Sequence, residues 1–385
     1  MVKTSQRARN VGNSSQKKTQ GQFAEGFAGK TVLITGHTGF KGSWLAFWLQ
    51  KLGAKVIGIG LDPTTQPSLF NTLDLRSKIE DFRLDIRDSK RIDQVICTTR
   101  PDYVFHLAAQ SLVNISFNNP TYTWETNVIG TLNILESLRK LDSGCVAVMI
   151  TSDKCYKNVE QSMGYKETDE LGGFDPYSAS KGAAEFVIRS YVKSFFSQPS
   201  NEIQIASARA GNVIGGGDWA DKRIIPDCMK SWALNEPVVL RNPNSTRPWQ
   251  HVLEPLSGYM TLALALKSNP DLHGEAFNFG PNLKEDYSVS SLVDEVASHW
   301  DRAKWTTDSS TESAYYESNL LKLECEKASR LLKWSSVFNF SETSKFTAEW
   351  YKQYYCDASV MAETTLSQIE IYEKYAHLRG LNWAM

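Results

Sequence analysis

Short apolar runs bounded by polar residues recur along the chain, separated by stretches in which apolar residues return every three or four positions. Lys30 to Thr35 (KTVLIT), Lys55 to Gly60 (KVIGIG), Tyr103 to Ala109 (YVFHLAA), Val148 to Ile150 (VMI) and Ile203 to Ala208 (IQIASA) are runs of the first kind. Such runs suit strands buried on both faces of a parallel sheet. Leu84-Asp85-Ile86 has the look of a further strand end. Trp44, Leu45, Trp48, Leu49 and Leu52 keep helical spacing, with Gly53 as a stop, and Thr126 to Leu141 is amphipathic in the same sense. Helices are also expected over Ala179–Arg189, Leu292–Trp300, Leu320–Leu332 and the aromatic stretch Phe346–Tyr375. Strands alternating with helices on this scale predict an α/β fold: a doubly wound, Rossmann-like parallel sheet with a smaller carboxyl-terminal α/β lobe. The expected division is a leader over 1–26, the sheet domain over 27–205, a lobe mainly over 206–345 with the chain crossing between the two, and a helical extension over 346–385.

Charge and cysteine usage narrow the setting. The formal net charge of −1 argues for no broad nucleic-acid or membrane surface. The cysteines at 97, 145, 155, 228, 325 and 356 include no Cys-x-x-Cys pair, so structural thiols in a reducing, cytoplasmic setting are expected, with no metal site. No apolar run approaches the roughly 20 residues of a membrane helix. The leader carries Lys3, Arg7, Arg9, Lys17 and Lys18 with no acid before Glu25. Its low apolar content reads as a disordered tail, and an import peptide is the alternative.

Candidate chemistry gathers at the carboxyl ends of the expected strands, where open α/β sheets bind ligands. Gly36, Gly39 and Gly42 fall between the first strand and its helix with G-x-x-G-x-x-G spacing. A turn of this kind brings backbone close to a pyrophosphate and sets it against a helix amino end. Asp62 follows about 20 residues on, placed for both ribose hydroxyls of a dinucleotide and against a 2′-phosphate; no arginine adjoins it in sequence, so NAD is expected over NADP. Asp85 and Ile86 are placed to reach adenine, and the small Ala108 and Ala109 permit close approach of the cofactor. His106, inside an apolar run, reads as a satisfied core histidine. Ser152, Asp153 and Lys154 end the central strand, and Tyr177 and Lys181 lie four apart, on one face of a helix. A lysine beside a phenol favours phenolate and makes it a base. Further on, the glycine-rich RAGNVIGGGDW offers Asn212, Asp218 and Trp219 as a loop over a polar ligand. Arg223, Arg241 and Arg247 are candidates to grip a diphosphate.

These motifs resemble a known family. TGHTGFKGSWL, HLAAQSLV, TSDKCYKN, PYSASK, RAGNVIGGGDW and RPWQHVLEPL are similar to those of the extended short-chain dehydrogenases/reductases, and within that group to the CDP-glucose 4,6-dehydratases, from about Phe27 to Trp334. The resemblance implies bound NAD, a nucleotide-sugar substrate (CDP-glucose), and loss of water giving a 4-keto-6-deoxy sugar, by a homodimer or homotetramer. It implies that Ser152 and Tyr177 act at C4, Lys181 on the nicotinamide ribose, Asp153 at C6 and Lys154 at C5. In related dTDP- and GDP-sugar dehydratases the Lys154 position is usually glutamate, so lysine points to the CDP branch. It further implies cofactor contacts from Thr38, Phe40, Leu107, Gln110 and Thr126, and a substrate contact from Ser111. A 4-epimerase of the same fold needs Tyr177 and Lys181 but no acid and base at C5 and C6, so Asp153-Lys154 is the discriminating pair.

Overall fold

A computed structural model of the chain describes residues 21–198, 200–283, 287–307 and 320–384. Seven strands form the central sheet: β1 (Thr31–Thr35), β2 (Lys55–Gly60), β3 (Glu80–Arg83), β4 (Tyr103–His106), β5 (Cys145–Ile150), β6 (Ile203–Ala210) and β7 (Ala276–Phe279). Their spatial order is β7-β6-β5-β4-β1-β2-β3, with every pairing parallel. The order reverses at β1 and β4, leaving a crevice at the strands' carboxyl ends. Alternate residues serve opposite cores: Val32 and Ile34 pack on one face with Trp44 and Trp48, while Leu33 joins Ile92, Ile134 and Ile188 on the other. That double burial is why β1 reads as an unbroken apolar run. β7 comes from the carboxyl-terminal half, so the chain returns to the sheet after building the small lobe.

The lobe over the crevice holds short paired segments. Val213–Ile214 pairs with Gln250–His251, Thr246–Arg247 with Tyr287–Ser288, and Val238–Leu240 with Trp305–Thr307. The expected helix over 320–332 is shorter, Glu326–Leu332. Leu321 and Leu323 are buried in a small cluster with Tyr156 and Tyr165, and Leu323 bridges Tyr165 as a strand residue does, so tertiary contact overrides helix propensity there. The helix expected from Thr126 opens instead with a π-helical turn, Glu125–Ile129, before Gly130–Arg139.

Two aromatic helices, Phe340–Cys356 and Met361–Leu378, pack on each other, and the second packs on Trp48 of the Phe40–Lys51 helix through Tyr372 and Glu373. The first starts with a capping box made by Asn339 and Glu342. Glu254, buried in the Leu253–Ser268 helix, anchors them by accepting from Val337 N (2.8 Å), Phe338 N (2.7 Å) and the Tyr372 hydroxyl (2.9 Å). The leader ends earlier than its composition suggests. Gln22–Phe27 is helical, and buried Phe23 stacks on Trp383 with ring centroids 4.8 Å apart. The basic residues at 3–18 lie outside the described residues.

Candidate active site

The glycine turn is as tight as its spacing requires. Gly36 has φ +76°, and a Cβ there would come 2.8 Å from the Ala108 nitrogen. A Cβ at Gly42 would meet the Gly36 oxygen at 2.1 Å. Gly39 caps the Phe40–Lys51 helix, so bare backbone and a helix amino end face the crevice together. A dinucleotide pyrophosphate fits this cradle, which any side chain at Gly36 or Gly42 would fill.

Beyond the turn, the ribose end holds a correction. Asp62 is exposed and does have an arginine beside it: Arg83 Nη1 lies 3.6 Å from Asp62 Oδ1. Adjacency in the sheet, invisible in sequence, brings β3 against β2. Arg83 is held mainly elsewhere, by Asp81 at 2.9 Å, the Leu61 carbonyl at 2.9 Å and the face of Phe70. Asp81 also bonds buried His37 at 2.8 Å. Asp85 is engaged by Arg87 at 2.7 Å; burial raises its carboxyl, and the Arg87 bonds outweigh that and lower it. Ile86 lies against Gly130.

At the β4 end, Thr35 Oγ1 accepts from the Ala108 nitrogen (3.1 Å) and contacts His106 Nδ1 (2.7 Å), while His106 Nε2 meets Thr131 (3.1 Å). His106 is a satisfied core histidine as expected, its pKa pulled down to about 3 by burial and then by Lys181. Gln110 is fixed through Thr123 and Asn127. Asn127 in turn donates to Ser180 (2.8 Å), whose hydroxyl donates to the Tyr177 carbonyl (2.7 Å). Asn127 thus ties the cofactor side to the catalytic helix; the sequence carried no signal for it. The Thr126 hydroxyl is buried without a protein partner among the described residues, which suits a ligand contact.

The candidate reaction centre lies where β5 ends against the Pro176–Tyr191 helix, which Asp175 caps through Ser178 N (2.9 Å). Ser152 Oγ donates to Asp153 Oδ1 (2.8 Å), and Asp153 Oδ2 is buried without a partner among the described residues. Burial pushes the Asp153 carboxyl up, against the pull of Lys154 and Ser152. Lys154 is half-buried and lines the crevice. Tyr177 is buried; burial pushes its phenol up to about 12, opposed by Ser152 and Arg223. Lys181 is pulled down to about 8 by burial, countered by Cys155 and Glu185. Arg223 adds a second cation whose charge lowers the Tyr177 phenol, alongside the Lys181 carried by the same helix. Glu185 itself is locked to Arg209 at 2.8 Å beneath the site.

One residue of this centre escaped the sequence reading. Lys41 is half-buried, donates to the Tyr259 hydroxyl at 3.2 Å, and is pulled down to about 8 by desolvation, then by Lys181 and Arg223. Its signal was a cation in the first turn of a helix, where the dipole disfavours positive charge.

On the substrate side, Asp218 is paired with Arg223 at 2.8 Å. Trp219 is turned into the aromatic cluster of Trp350, Tyr351 and Tyr354, so packing accounts for it as well as any ligand does. Arg247 is buried near Asp153, and Arg241 is exposed beside Asp227. Ser111 and Asn212 lie on the same wall system. All the residues singled out in the sequence line one continuous crevice of about 910 Å³.

This sheet, glycine turn and Tyr-x-x-x-Lys pair define an extended short-chain dehydrogenase/reductase. Residues 33–347 match the family model described as GDP-mannose 4,6 dehydratase, and the chain belongs to that family. It is 45% identical over 328 residues to a CDP-glucose 4,6-dehydratase of Salmonella typhimurium, covering 84% of this chain and 91% of that protein. It is 29% identical over 287 residues to a CDP-paratose 2-epimerase of Salmonella typhi, covering 68% and 82%. Among solved structures, the NAD complex of a dTDP-glucose 4,6-dehydratase from Bacillus anthracis superposes with a TM-score of 0.68 at 20% identity, over 84% of this chain and 97% of that one.

Proposed function

We propose that the chain is a lyase that converts CDP-D-glucose to CDP-4-dehydro-6-deoxy-D-glucose with loss of water, using NAD. The observation that carries this reading is the Ser152-Asp153-Lys154 strand end, with Ser152 and Asp153 buried and Lys154 half-buried, on the crevice that Tyr177 also lines. NAD supplies the hydride acceptor at C4 and the hydride donor at C6, so it is not consumed. Tyr177 Oη takes the C4 hydroxyl proton, with Ser152 Oγ orienting that hydroxyl and the Arg223 charge favouring phenolate. Lys181 binds the ribose hydroxyls of the nicotinamide half. A ketone at C4 makes the C5 proton acidic, and Lys154 Nζ takes it. Asp153 gives its proton to the departing C6 hydroxyl. Its burial supports that role, because desolvation keeps a carboxyl protonated. Gly36, Thr38, Gly39, Phe40 and Gly42 cradle the pyrophosphate, and Asp62 takes the adenine ribose. Arg223 and Arg247 face the substrate diphosphate.

A nucleotide-sugar 4-epimerase is the second reading, and the buried Asp153 carboxyl beside Lys154, raised by desolvation, speaks against it, since epimerisation needs no leaving proton at C6. Incubating the protein with CDP-, UDP-, dTDP- and GDP-hexoses and following ketosugar absorbance in alkali tests the assignment. A 4-epimer without 6-deoxy product would overturn it.

The same reading includes a homodimer or homotetramer in the cytoplasm. Trp124, Ile129 and Phe186 are exposed on neighbouring helical segments, which supports self-association there. Among the described residues no helix is long and apolar enough to cross a membrane. Sedimentation of the protein reads the oligomeric state directly.

A further inference from the structure

The crevice has a second polar centre, away from the reacting atoms. Arg223 begins the Ile224–Ala233 helix, and Asp227 stands one turn on, its nitrogen donating to the Arg223 carbonyl at 3.0 Å. Arg223 interacts with Tyr177 at the reaction centre. Burial raises the Asp227 carboxyl, against the pull of Lys230, Arg241 and the Lys222 backbone N–H. Tyr177, Arg223, Asp227 and Arg241 all line the same crevice. Lys230 is committed to the Trp219 carbonyl (3.0 Å) and Asp221 (2.7 Å), while Lys222 lines the crevice along with the pair Asp227 and Arg241. An apolar wall adjoins this pair. In the strand Val238–Leu240 the flanking residues are buried while Val239 is 53% exposed, and all three line the crevice.

An apolar wall beside one acceptor and one donor is what a pyrimidine ring asks for. Cytosine presents the 4-amino donor next to the N3 and O2 acceptors. Uracil and thymine present a carbonyl acceptor where cytosine has the amino group. A carboxylate accepts from the first and repels the second. We propose that Asp227 accepts the 4-amino group of cytosine, with Arg241 donating to the adjoining ring acceptors, and that this pair selects cytidine nucleotides over uridine and thymidine nucleotides. The assignment rests on the CDP-sugar reading above and adds the residues that choose the base. A site built to bond a polar group rejects the analogue lacking it strongly, because its own buried group is then left unpaired.

The test compares wild type with Asp227→Asn, which keeps size and shape but lets an amide turn either its oxygen or its NH2 to the base. In steady-state assays with CDP-glucose and UDP-glucose, the wild-type preference for CDP-glucose should fall by about tenfold or more in the variant. The loss should fall on KM for CDP-glucose more than on kcat, since Asp227 is assigned to the base and not to the reacting sugar. Calorimetric titration of the same proteins with CDP and UDP gives an independent readout that needs no turnover. A third arm uses wild type alone: a CDP analogue lacking the 4-amino group should bind about tenfold more weakly than CDP. Wild type that converts CDP-glucose with a preference unchanged by Asp227→Asn overturns the base assignment and leaves the reaction standing. So does equal binding of the two ligands in the third arm. Wild type that binds CDP over UDP yet forms no ketosugar from CDP-glucose overturns the proposed reaction and leaves the base assignment standing.

Discussion

Asp218 Oδ2 lies 2.8 Å from Arg223 Nη1, and the carbonyl of the same Asp218 accepts the hydroxyl of Tyr351, a residue of the carboxyl-terminal helix Phe340–Cys356. Arg223 is therefore positioned by an element far away in sequence. Trp350 reinforces the link: it packs where a Cβ on Gly216 would stand, only 2.0 Å away. The role of these helices, opaque in sequence, is to hold the wall of the sugar-nucleotide crevice.

Tyr351→Phe tests that link at small cost to the fold. Losing one buried hydrogen bond is worth about 1 kcal/mol, so KM for the nucleotide sugar should rise by about fivefold. Cofactor affinity, set on the opposite side of the crevice, should stay put. An equal loss in both affinities, measured by titration, would show that Tyr351 serves general stability and not the wall.

Glu254 should matter more to folding. Its two oxygens accept three donors, including the backbone N–H groups of Val337 and Phe338. Glu254→Gln puts an NH2 where a donor already points, leaving buried groups unsatisfied. A loss of about 2 kcal/mol or more in denaturant unfolding is expected. A variant as stable as wild type would remove Glu254 as the anchor of the carboxyl-terminal helices.

How much of this was legible beforehand follows from the range of the interactions. The strands, the glycine turn and the Ser152-Asp153-Lys154 and Tyr177-Lys181 motifs are local patterns, and local patterns show in sequence. Arg83 beside Asp62, Lys41 against Tyr259, and Tyr351 behind Asp218 are contacts between distant segments, which spacing does not encode. Leu320–Leu332 misled because its apolar spacing served a bridge to Tyr165 and not a helix face. Lys41 stood inside a recognised motif, and its misfit with the helix dipole was the overlooked clue.

Lys41 also makes stability depend on pH in a predictable sense. Burial lowers its pKa from 10.5 to about 8. The unfolded chain therefore holds this proton more tightly than the folded one. The penalty is present in full below pH 8 and is relieved as pH rises from 8 towards 10.5. Lys41→Met should stabilise the ligand-free protein at pH 7, and that advantage should shrink steadily up to pH 10. Unfolding curves of both proteins across this window check it; an advantage independent of pH would mean that the ammonium carries no penalty in the fold.

The ribose end yields a cofactor prediction. Arg83 already stands 3.6 Å from Asp62, so repulsion by the carboxylate is what bars a 2′-phosphate. Asp62→Asn alone should raise NADP affinity relative to NAD by about tenfold, the order of one removed charge contact. Fluorescence titration with both cofactors decides it. If the ratio does not move, Asp81, which holds Arg83 at 2.9 Å, controls the choice instead.

Lys154 is where the chemistry is most exposed to test. As the C5 base it is not needed for oxidation at C4, which Tyr177 and Lys181 serve. Lys154→Ala should therefore still oxidise C4 and then stall before water is lost. Positioned acid–base groups contribute about 10²–10⁴-fold, so formation of the 6-deoxy product should fall by that order. Deuterium from the solvent should also fail to enter C5. The competing role is a charge partner for the substrate diphosphate. In that case the variant would bind CDP-glucose more weakly but complete every turnover it begins, and C5 would exchange as in wild type. Asp153→Asn separates the two further, since loss of the leaving-group proton leaves C5 exchange intact while blocking elimination. Solvent exchange at C5 in Asp153→Asn, together with none in Lys154→Ala, is the pattern expected if the strand end divides the work as acid and base.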